Sequence, residues 1–216
     1  MNLQTIYEQF MNGVKMTTPL EFIAVITGIA STYFSKKEKI YVFPTGIVST
    51  LIYIFISFKG KLFAEAGLNI YYTIMSISGW YLWTNKSFND TQKPLLISYN
   101  RNKDWRNTIL YFVIMWIALY FILHKFTSST VPFFDALASS SAYTAMFLMN
   151  RKKVESWYFW ILTDIISMPL YFSKGYVFTS VQFLVFLLIS ISGWISWHKT
   201  YTFNQVYKLN ASIDQI

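Results

Sequence analysis

The chain has 216 residues, of which 54% are hydrophobic and 20% aromatic, whereas only 13% are charged. This balance is too apolar for an ordinary soluble domain and predicts an all-α membrane protein. The absence of cysteine excludes disulfides, thiol catalysis and thiolate metal sites. The net charge of +8 is carried by short clusters between apolar runs, as expected beside anionic lipid headgroups, so we predict membrane lipid and no nucleic acid as a partner.

Residues 1–17 predict an interfacial amphipathic helix, because their apolar side chains recur at helical spacing in a segment too short and too polar to cross a bilayer. Seven apolar runs of about 20 residues follow, the length that a helix needs to span the hydrocarbon core. We place them at 18–35, 39–58, 62–83, 107–124, 131–149, 156–173 and 177–198. The loop 84–106 is predicted to be a flexible connection, and 199–216 a cytoplasmic tail.

The positive charges are distributed unequally between the two sides of this arrangement. Five of the 18 Lys and Arg residues fall in the N-terminal segment and in the loops 59–61, 125–130 and 174–176. The other thirteen fall in the loops 36–39, 84–106 and 150–153 and in the C-terminal tail. The positive-inside rule therefore predicts an outside N-terminus and a cytoplasmic C-terminus.

An internal repeat divides the chain. Residues 76–83 (SISGWYLW) return 114 residues later as 190–197 (SISGWISW), with six of eight positions identical, and the same offset aligns the basic loops 36–39 and 150–153. The repeat predicts two parallel three-helix bundles, 18–83 and 131–198, joined by a linker helix within 84–130, a 3+1+3 plan with a solute site between the bundles. The tryptophan pairs of the two motifs end their helices, so we expect them to be aromatic-belt anchors at the cytoplasmic interface.

Polar and aromatic residues at membrane depth mark a candidate substrate site. Asp164 lies in the middle of the sixth span, where an ionisable side chain is costly and by default marks a ligand or a pathway. Trp157 and Trp160 precede it by seven and four residues and so share its helical face. An indole beside a carboxylate suits a flat cationic heteroaromatic ring. The alternatives are an interfacial anchor for Trp157 and a hydrogen bond from a neighbouring Ser or Thr for Asp164.

The third and seventh spans carry equivalent polar stripes. Asn69, Tyr72 and Ser76 share a face of the third span, and Gln182 and Ser190 share the corresponding face of the seventh. Such side chains can bind hydroxyl or amino groups of a ligand, although packing between helices is an equal alternative.

Weaker signals surround these stripes. Glu21 and Asp135 each follow a proline closely and are predicted to lie in the first turn of a helix. His124 and His198 are isolated, and the sequence has no catalytic constellation, metal-ligand spacing or cofactor motif. We therefore predict no catalytic residue, metal or cofactor and do not expect an enzyme, so that a membrane enzyme or a receptor is a remote alternative.

Three segments carry a resemblance to a known family: 79–83 (GWYLW), 154–160 (VESWYFW) leading to Asp164, and Leu170-Tyr171 followed by Gly175. They resemble the PnuC family of bacterial vitamin transporters, and the resemblance extends from about residue 21 to 197. It implies a multi-pass protein of the bacterial inner membrane that carries an unphosphorylated vitamin, most often nicotinamide riboside, by facilitated diffusion. The resemblance further implies a homotrimer, trapping of the solute by a cytosolic kinase, and Trp157 and Trp160 as pocket tryptophans.

Two departures from the family pattern leave the vitamin open. Asp164 stands where nicotinamide riboside carriers of the family commonly have Asn, and Asn69 where they commonly have Gln. These departures, with the run 69–72 (NIYY), are also compatible with the thiamine-carrying branch, and riboflavin is a third candidate. Nicotinamide riboside and thiamine are both aromatic cations, which agrees with the Trp–Asp face.

Overall fold

The computed structural model describes residues 3–60, 63–84, 95–127 and 131–213, and this part of the chain is built from helices. Its only β pairing is an isolated bridge between Ser98 and Lys153. The helices are α1 (Leu3–Met16), α2 (Pro19–Lys36), α3 (Val42–Lys59), α4 (Phe63–Thr84), α5 (Asn102–Phe126), α6 (Pro132–Met149), α7 (Ser156–Ser173) and α8 (Val177–Ile213).

Helices α2 to α8 coincide with the seven predicted apolar runs, with two differences. Helix α5 begins at Asn102 rather than at 107, and α8 continues to Ile213, so the predicted tail 199–216 is helical as far as it is described. Residues 85–94 of the predicted loop 84–106 lie outside the described residues, as does Lys61.

Three described helices are long and apolar enough to cross a membrane, namely α3, α5 and α8 as far as Tyr207. A fourth span results if α1 and α2, which are bent by 105° relative to each other, count as one. The bend between α1 and α2 coincides with the capped start of α2. Pro19 is the first residue of α2, and the Thr18 hydroxyl accepts the Glu21 backbone N–H at 3.2 Å. The predicted places of Glu21 and Asp135, in the first turns of α2 and α6, are confirmed.

The helices pack in two sequential groups, α2–α3–α4 and α6–α7–α8, and α5 packs on α6. The groups meet through two interfaces, α2 with α8 and α4 with α6. Under the offset found in the sequence, α2 corresponds to α6 and α4 to α8. The two interfaces are therefore equivalent, since each joins the first helix of one group to the last helix of the other.

Individual contacts repeat at the same offset. The Ser49 hydroxyl donates to the Ala24 carbonyl at 2.8 Å, and the corresponding Thr163 hydroxyl donates to the Ala138 carbonyl at 3.3 Å. These bonds fix the second helix of each group against the first. Because each hydroxyl finds a backbone carbonyl of a neighbouring helix, the bonds act as interhelical glue.

The basic loops also correspond. Glu38 and Lys152 both adopt the left-handed conformation, with φ of 52° and 50°, and are 114 residues apart. The Lys152 ammonium nitrogen lies 3.3 Å from a Glu38 carboxylate oxygen, so the pair joins the two groups. Ser35 and Met149 meet nearby at the same separation, with the hydroxyl 2.9 Å from the sulfur.

The second tryptophan of each repeated motif, Trp83 and Trp197, belongs to a ring cluster inside the bundle rather than to an aromatic belt. Phe43 packs edge-on against Trp83 with ring centroids 5.0 Å apart, and Trp157 packs edge-on against Trp197 at 5.5 Å. Trp83 and Trp197 meet at 6.3 Å and close the cluster. The Trp197 side chain is fully buried. The predicted belt position is wrong for this residue, because its ring and its indole N–H have partners inside the bundle.

Two glycines, which have no side chain, leave space for these rings to pack directly against the helix backbone. A Cβ at Gly193 would lie 2.6 Å from the Trp157 ring, and one at Gly79 would lie 2.5 Å from the Phe43 ring. The Trp197 indole N–H donates to the Ser35 carbonyl at 3.1 Å. By contrast, Trp80 and Trp194 are exposed on the outer surface, where the belt interpretation remains a prediction.

The part of the predicted flexible loop that the structure describes is docked. Ile97 is buried in the ring cluster, and Ser98 exchanges backbone hydrogen bonds of 3.1 Å with Lys152 and Val154. The Glu155 carboxylate accepts the Asn100 backbone N–H at 2.7 Å. Burial raises the pKa of the Glu155 carboxyl above its ordinary value, and this hydrogen bond opposes the shift. The flexible character predicted for 84–106 is therefore wrong for 95–101.

Candidate functional site

A buried acid forms the centre of the candidate site. Asp164, on α7, is 3% exposed, and the Ser190 hydroxyl of α8 donates to its Oδ2 atom at 3.1 Å. No Lys, Arg or His of the described residues lies within ion-pair distance of this carboxyl group. Because a buried carboxyl group without a cationic partner is costly, the position favours a cationic ligand. The predicted alternative, a hydrogen bond from a neighbouring Ser, is confirmed and is compatible with ligand binding.

Two aromatic rings stand next to the acid. The ring of Trp160, one turn before Asp164, lies 6.3 Å from the ring of Tyr72 on α4. The Tyr72 phenol is within electrostatic range of Asp164. Helix α4 belongs to the first group of helices and α7 to the second. The structure therefore brings together four of the predicted residues, Tyr72, Trp160, Asp164 and Ser190, where the two groups meet.

Trp157 does not share this environment. Its side chain is completely buried in the ring cluster, against Gly193 and Trp197. Its indole N–H has no hydrogen-bond partner in the described part of the chain. The alternative role of interfacial anchor is wrong for this residue, since an anchor needs an exposed ring. Trp160, which is only partly buried, packs between the cluster and Tyr72.

The remaining predicted residues contact other parts of the bundle. The Asn69 amide donates to the Glu65 carbonyl of its own helix at 2.9 Å. Ser76 is buried against Gly46 of α3. A Cβ atom added at Gly46 would lie 3.6 Å from the Ser76 hydroxyl oxygen. The Gln182 side chain of α8 is a neighbour of the Tyr53 phenol of α3. Asn69 thus bonds within its own helix, Ser76 and Gln182 are neighbours of α3, and none of the three hydrogen-bonds Asp164 in the described part of the chain.

Gln182 and Tyr53 belong to a polar group near the ends of the helices. Glu21 and Glu65 act electrostatically on the Tyr53 phenol, so both acids lie in the same neighbourhood. Asp135 forms a 3.3 Å ion pair with Lys174 in the corresponding region of the second group. Acidic side chains at such a position favour the approach of a cation.

Sequence reasoning missed two residues of the interior. Tyr143 of α6 is 8% exposed, and its ring contacts those of Tyr71 and Tyr72. Asn150 is fully buried against Gly79 and donates its amide to the Met75 carbonyl at 2.7 Å. The available signal for Tyr143 was its position as the one large ring in the small-residue run 136–145. Asn150 belongs to the predicted basic loop 150–153, where the sequence gives no sign of a buried side chain.

Metal ligands do not cluster in the part of the chain that the structure describes. No group of three or more His, Cys, Asp or Glu residues in those ranges could hold a metal ion. His198 pairs with the Tyr99 hydroxyl, whose oxygen lies 2.8 Å from its Nδ1 atom.

Comparison with known proteins identifies the chain's relatives. A sequence model of the family described as nicotinamide mononucleotide transporter matches residues 18–199. The nicotinamide riboside transporter PnuC of Escherichia coli is 21% identical and covers 82% of this chain and 84% of its own length. PnuC of Neisseria mucosa is 25% identical, covering 83% and 72%. The riboflavin/roseoflavin transporter RibM of Streptomyces davaonensis is 22% identical, covering 82% and 83%.

The fold has a solved counterpart. A crystal structure of the vitamin B3 transporter PnuC matches with a TM-score of 0.67 and 23% identity, over 92% of this chain and 88% of that one. The relatives are transporters and not enzymes. With the apolar helices, they place the chain in the bacterial cell inner membrane as a multi-pass protein. Because the family match extends over most of its length, the chain belongs to the nicotinamide mononucleotide transporter family, the family of the PnuC transporters.

Proposed function

We propose that the chain takes up nicotinamide riboside across the bacterial inner membrane by facilitated diffusion. The observation that carries this proposal is the meeting of Tyr72, Trp160 and Asp164 between the two groups of helices. A pyridinium ring in this position contacts aromatic faces, a cation–π interaction worth about 0.5–2 kcal/mol, and supplies the counter-charge that the acid lacks.

The transport cycle needs the predicted arrangement in the membrane. We infer seven spans, α2 to α8, in a 3+1+3 plan with α5 as the linker, an outside N-terminus and a cytoplasmic C-terminus. The repeated contacts of Ser49 and Thr163 and the equivalent interfaces α2–α8 and α4–α6 support this plan. Rocking of one group against the other then exposes Asp164 first to one side and then to the other.

Directional uptake follows from removal of the solute inside the cell. The sequence contains no ATP-binding motif, which favours a uniporter whose substrate is trapped by a cytosolic nucleoside kinase. The protein then serves the salvage of a precursor for NAD biosynthesis. We further propose a homotrimer, on the resemblance to the PnuC family alone.

Two observations favour other vitamins as a second candidate. Asp164, in place of the Asn common in nicotinamide riboside carriers of the family, favours the thiazolium cation of thiamine as an alternative charge partner. The RibM relative is named for riboflavin, which is a neutral flavin. The charge of the ligand separates riboflavin from the two cations, because the carboxyl group of Asp164 attracts a cationic ring and not a neutral one.

Calorimetry on the purified protein tests the proposal with nicotinamide riboside, thiamine and riboflavin. We expect nicotinamide riboside to bind most tightly. Asp164→Asn keeps the shape of the side chain but removes its charge, so it should weaken thiamine binding by about tenfold or more and leave riboflavin unchanged; nicotinamide riboside, whose carriers commonly have Asn here, should lose less affinity than thiamine. Glu8→Gln, at an exposed acid of α1, is the matched control and should change nothing. The transporter proposal is rejected if none of the three ligands binds.

A further inference from the structure

Tyr143 occupies a position that the proposed site does not yet explain. It is the large side chain of the small-residue run in α6, and its ring packs edge-on against Tyr71 with centroids 4.2 Å apart. The Tyr71 hydroxyl donates to the Tyr143 backbone carbonyl at 3.0 Å. These two contacts fix the backbone and the ring face of Tyr143, so the direction of its phenol is determined by the fold.

The phenol itself lacks a protein partner. Within the described ranges the Tyr143 hydroxyl makes no hydrogen bond, although the residue is 8% exposed, and the same holds for the Tyr72 hydroxyl. Tyr71, by contrast, is also paired with the Tyr111 hydroxyl at 3.2 Å. Both oxygens keep some accessible surface, since the fully enclosed side-chain atoms without a partner do not include them, so each hydroxyl can bind a polar group from outside the protein.

The two hydroxyls border the candidate site. The rings of Tyr72 and Tyr143 are 6.3 Å apart, and Tyr72 lies at the same distance from Trp160. The Tyr72 phenol is within electrostatic range of both Tyr143 and Asp164. A ligand that placed a cationic ring between Tyr72 and Trp160 would therefore have the two phenols beside its substituent.

We propose that Tyr143 is a specificity-determining residue, whose hydroxyl, with that of Tyr72, hydrogen-bonds the sugar hydroxyls of a ring cation that carries a polyol. The inference rests on the proposed function, because it assigns the second part of the same ligand. A neutral phenol both donates and accepts, which matches the hydroxyls of a ribose. An analogue without the sugar leaves the phenols unpaired, as they are in the empty protein, so it gains nothing from them.

The test compares Tyr143→Phe with the wild type on two ligands. Nicotinamide riboside carries the ring and the sugar, whereas 1-methylnicotinamide carries the cationic ring alone. We expect the variant to bind nicotinamide riboside about three- to tenfold more weakly and 1-methylnicotinamide equally well, because only the sugar contact is removed. Tyr81→Phe, at an exposed position of α4, is the matched control and should bind both ligands as the wild type does.

The outcomes separate this inference from the proposed function. Equal losses for the two ligands would assign Tyr143 a packing role, and unchanged binding of both would show that its hydroxyl makes no ligand contact; either result overturns the inference and leaves the function intact. Failure of the wild type to bind nicotinamide riboside rejects the proposed function and the inference with it. Tyr72→Phe removes the facing hydroxyl and should give the same selective loss, so a folding defect in one variant does not decide the question.

Discussion

Two tryptophans three residues apart on α7 lie in different environments. Trp157 is enclosed by protein on every side, with Gly193 beneath its ring and Trp197 against its edge. Trp160 faces Tyr72 across the boundary between the two groups of helices. The sequence places both on the face of Asp164, because helical spacing specifies a face but not the depth or the neighbour of each side chain.

Replacing these tryptophans separates binding from stability. In the proposed site, Trp160→Ala should weaken nicotinamide riboside binding by about tenfold or more, because it removes a ring placed to contact the ligand, and it should lower the Tm less than Trp157→Ala because Trp160 is only partly buried. Trp157→Ala should lower the free energy of unfolding by about 3–5 kcal/mol through the cavity it leaves. Calorimetry and thermal unfolding of both variants in the same detergent provide the comparison. Equal and negligible effects on binding would show that the α7 face is not the pocket.

Much of the site could be read from the sequence residue by residue, and the remainder depended on tertiary contacts. Asp164 stands out because an acid is rare in an apolar run, and its hydrogen bond with Ser190 joins two of the predicted residues. Tyr143 gave no comparable signal, since a tyrosine in a membrane helix is ordinary. Its unpaired hydroxyl is a property of the assembled bundle that no local pattern contains.

At the scale of the helices, hydropathy predicts which segments form helices better than it predicts where they end. The starts of α2 and α6 follow from Pro19 and Pro132, which need no N–H partner at a first turn. The start of α5 at Asn102 lies five residues before the apolar run, because polar residues extend the helix beyond it. Docking of 95–101 on Lys152 and Val154 is a long-range contact, which composition does not specify.

The contacts between helices at Gly79 and Gly193 provide a prediction at this scale. Gly193→Ala should lower the Tm of the purified protein, because its Cβ would lie 2.6 Å from a ring that is packed on all sides, and Gly79→Ala should do the same against Phe43. Gly67 is the matched control: it lies in α4 with no atom within 4 Å of an added Cβ. Gly67→Ala should therefore stabilise the helix by up to about 1 kcal/mol. Similar gains in all three variants would show that helix propensity alone decides the outcome and that the rings leave room for an added Cβ.

At the scale of the whole molecule, the two groups of helices repeat several packing contacts but differ in the residues of the proposed site. The offset sets Phe43 on Trp157, each packed on a motif glycine, and these contacts are preserved. It also sets Gly46 on Trp160 and Thr50 on Asp164, so the first group lacks the ring and the acid. The repeat could be recognised from sequence because the packing motif is conserved within the chain. The contribution of Tyr72 to the proposed site depends on a contact between α4 and α7, which the sequence alone does not specify.

Whether uptake is coupled to a proton gradient depends on the transport cycle of the whole protein. In proteoliposomes loaded without substrate, uptake of labelled nicotinamide riboside should continue until the concentrations inside and outside are equal. A protonophore should leave the initial rate unchanged, because a uniporter draws on the solute gradient alone. Liposomes without protein provide the background rate. A collapse of uptake on addition of the protonophore would instead assign a proton to the cycle, with Asp164 as its carrier in the interior.

The length of α8 has a mechanical consequence. Its 37 residues make a helix about 55 Å long, far more than the hydrocarbon thickness, and it holds Gln182, Ser190 and Trp197 on one continuous rod. Near its far end the ring of Tyr201 packs on Tyr99, 4.9 Å away, which ties the rod to the segment before α5. In the proposed cycle, α8 carries a tilt of the second group to Phe203, whose exposed ring can be replaced by a cysteine, which is then the single cysteine of the chain and can be labelled. The movement of the binding site becomes measurable at a point well removed from it.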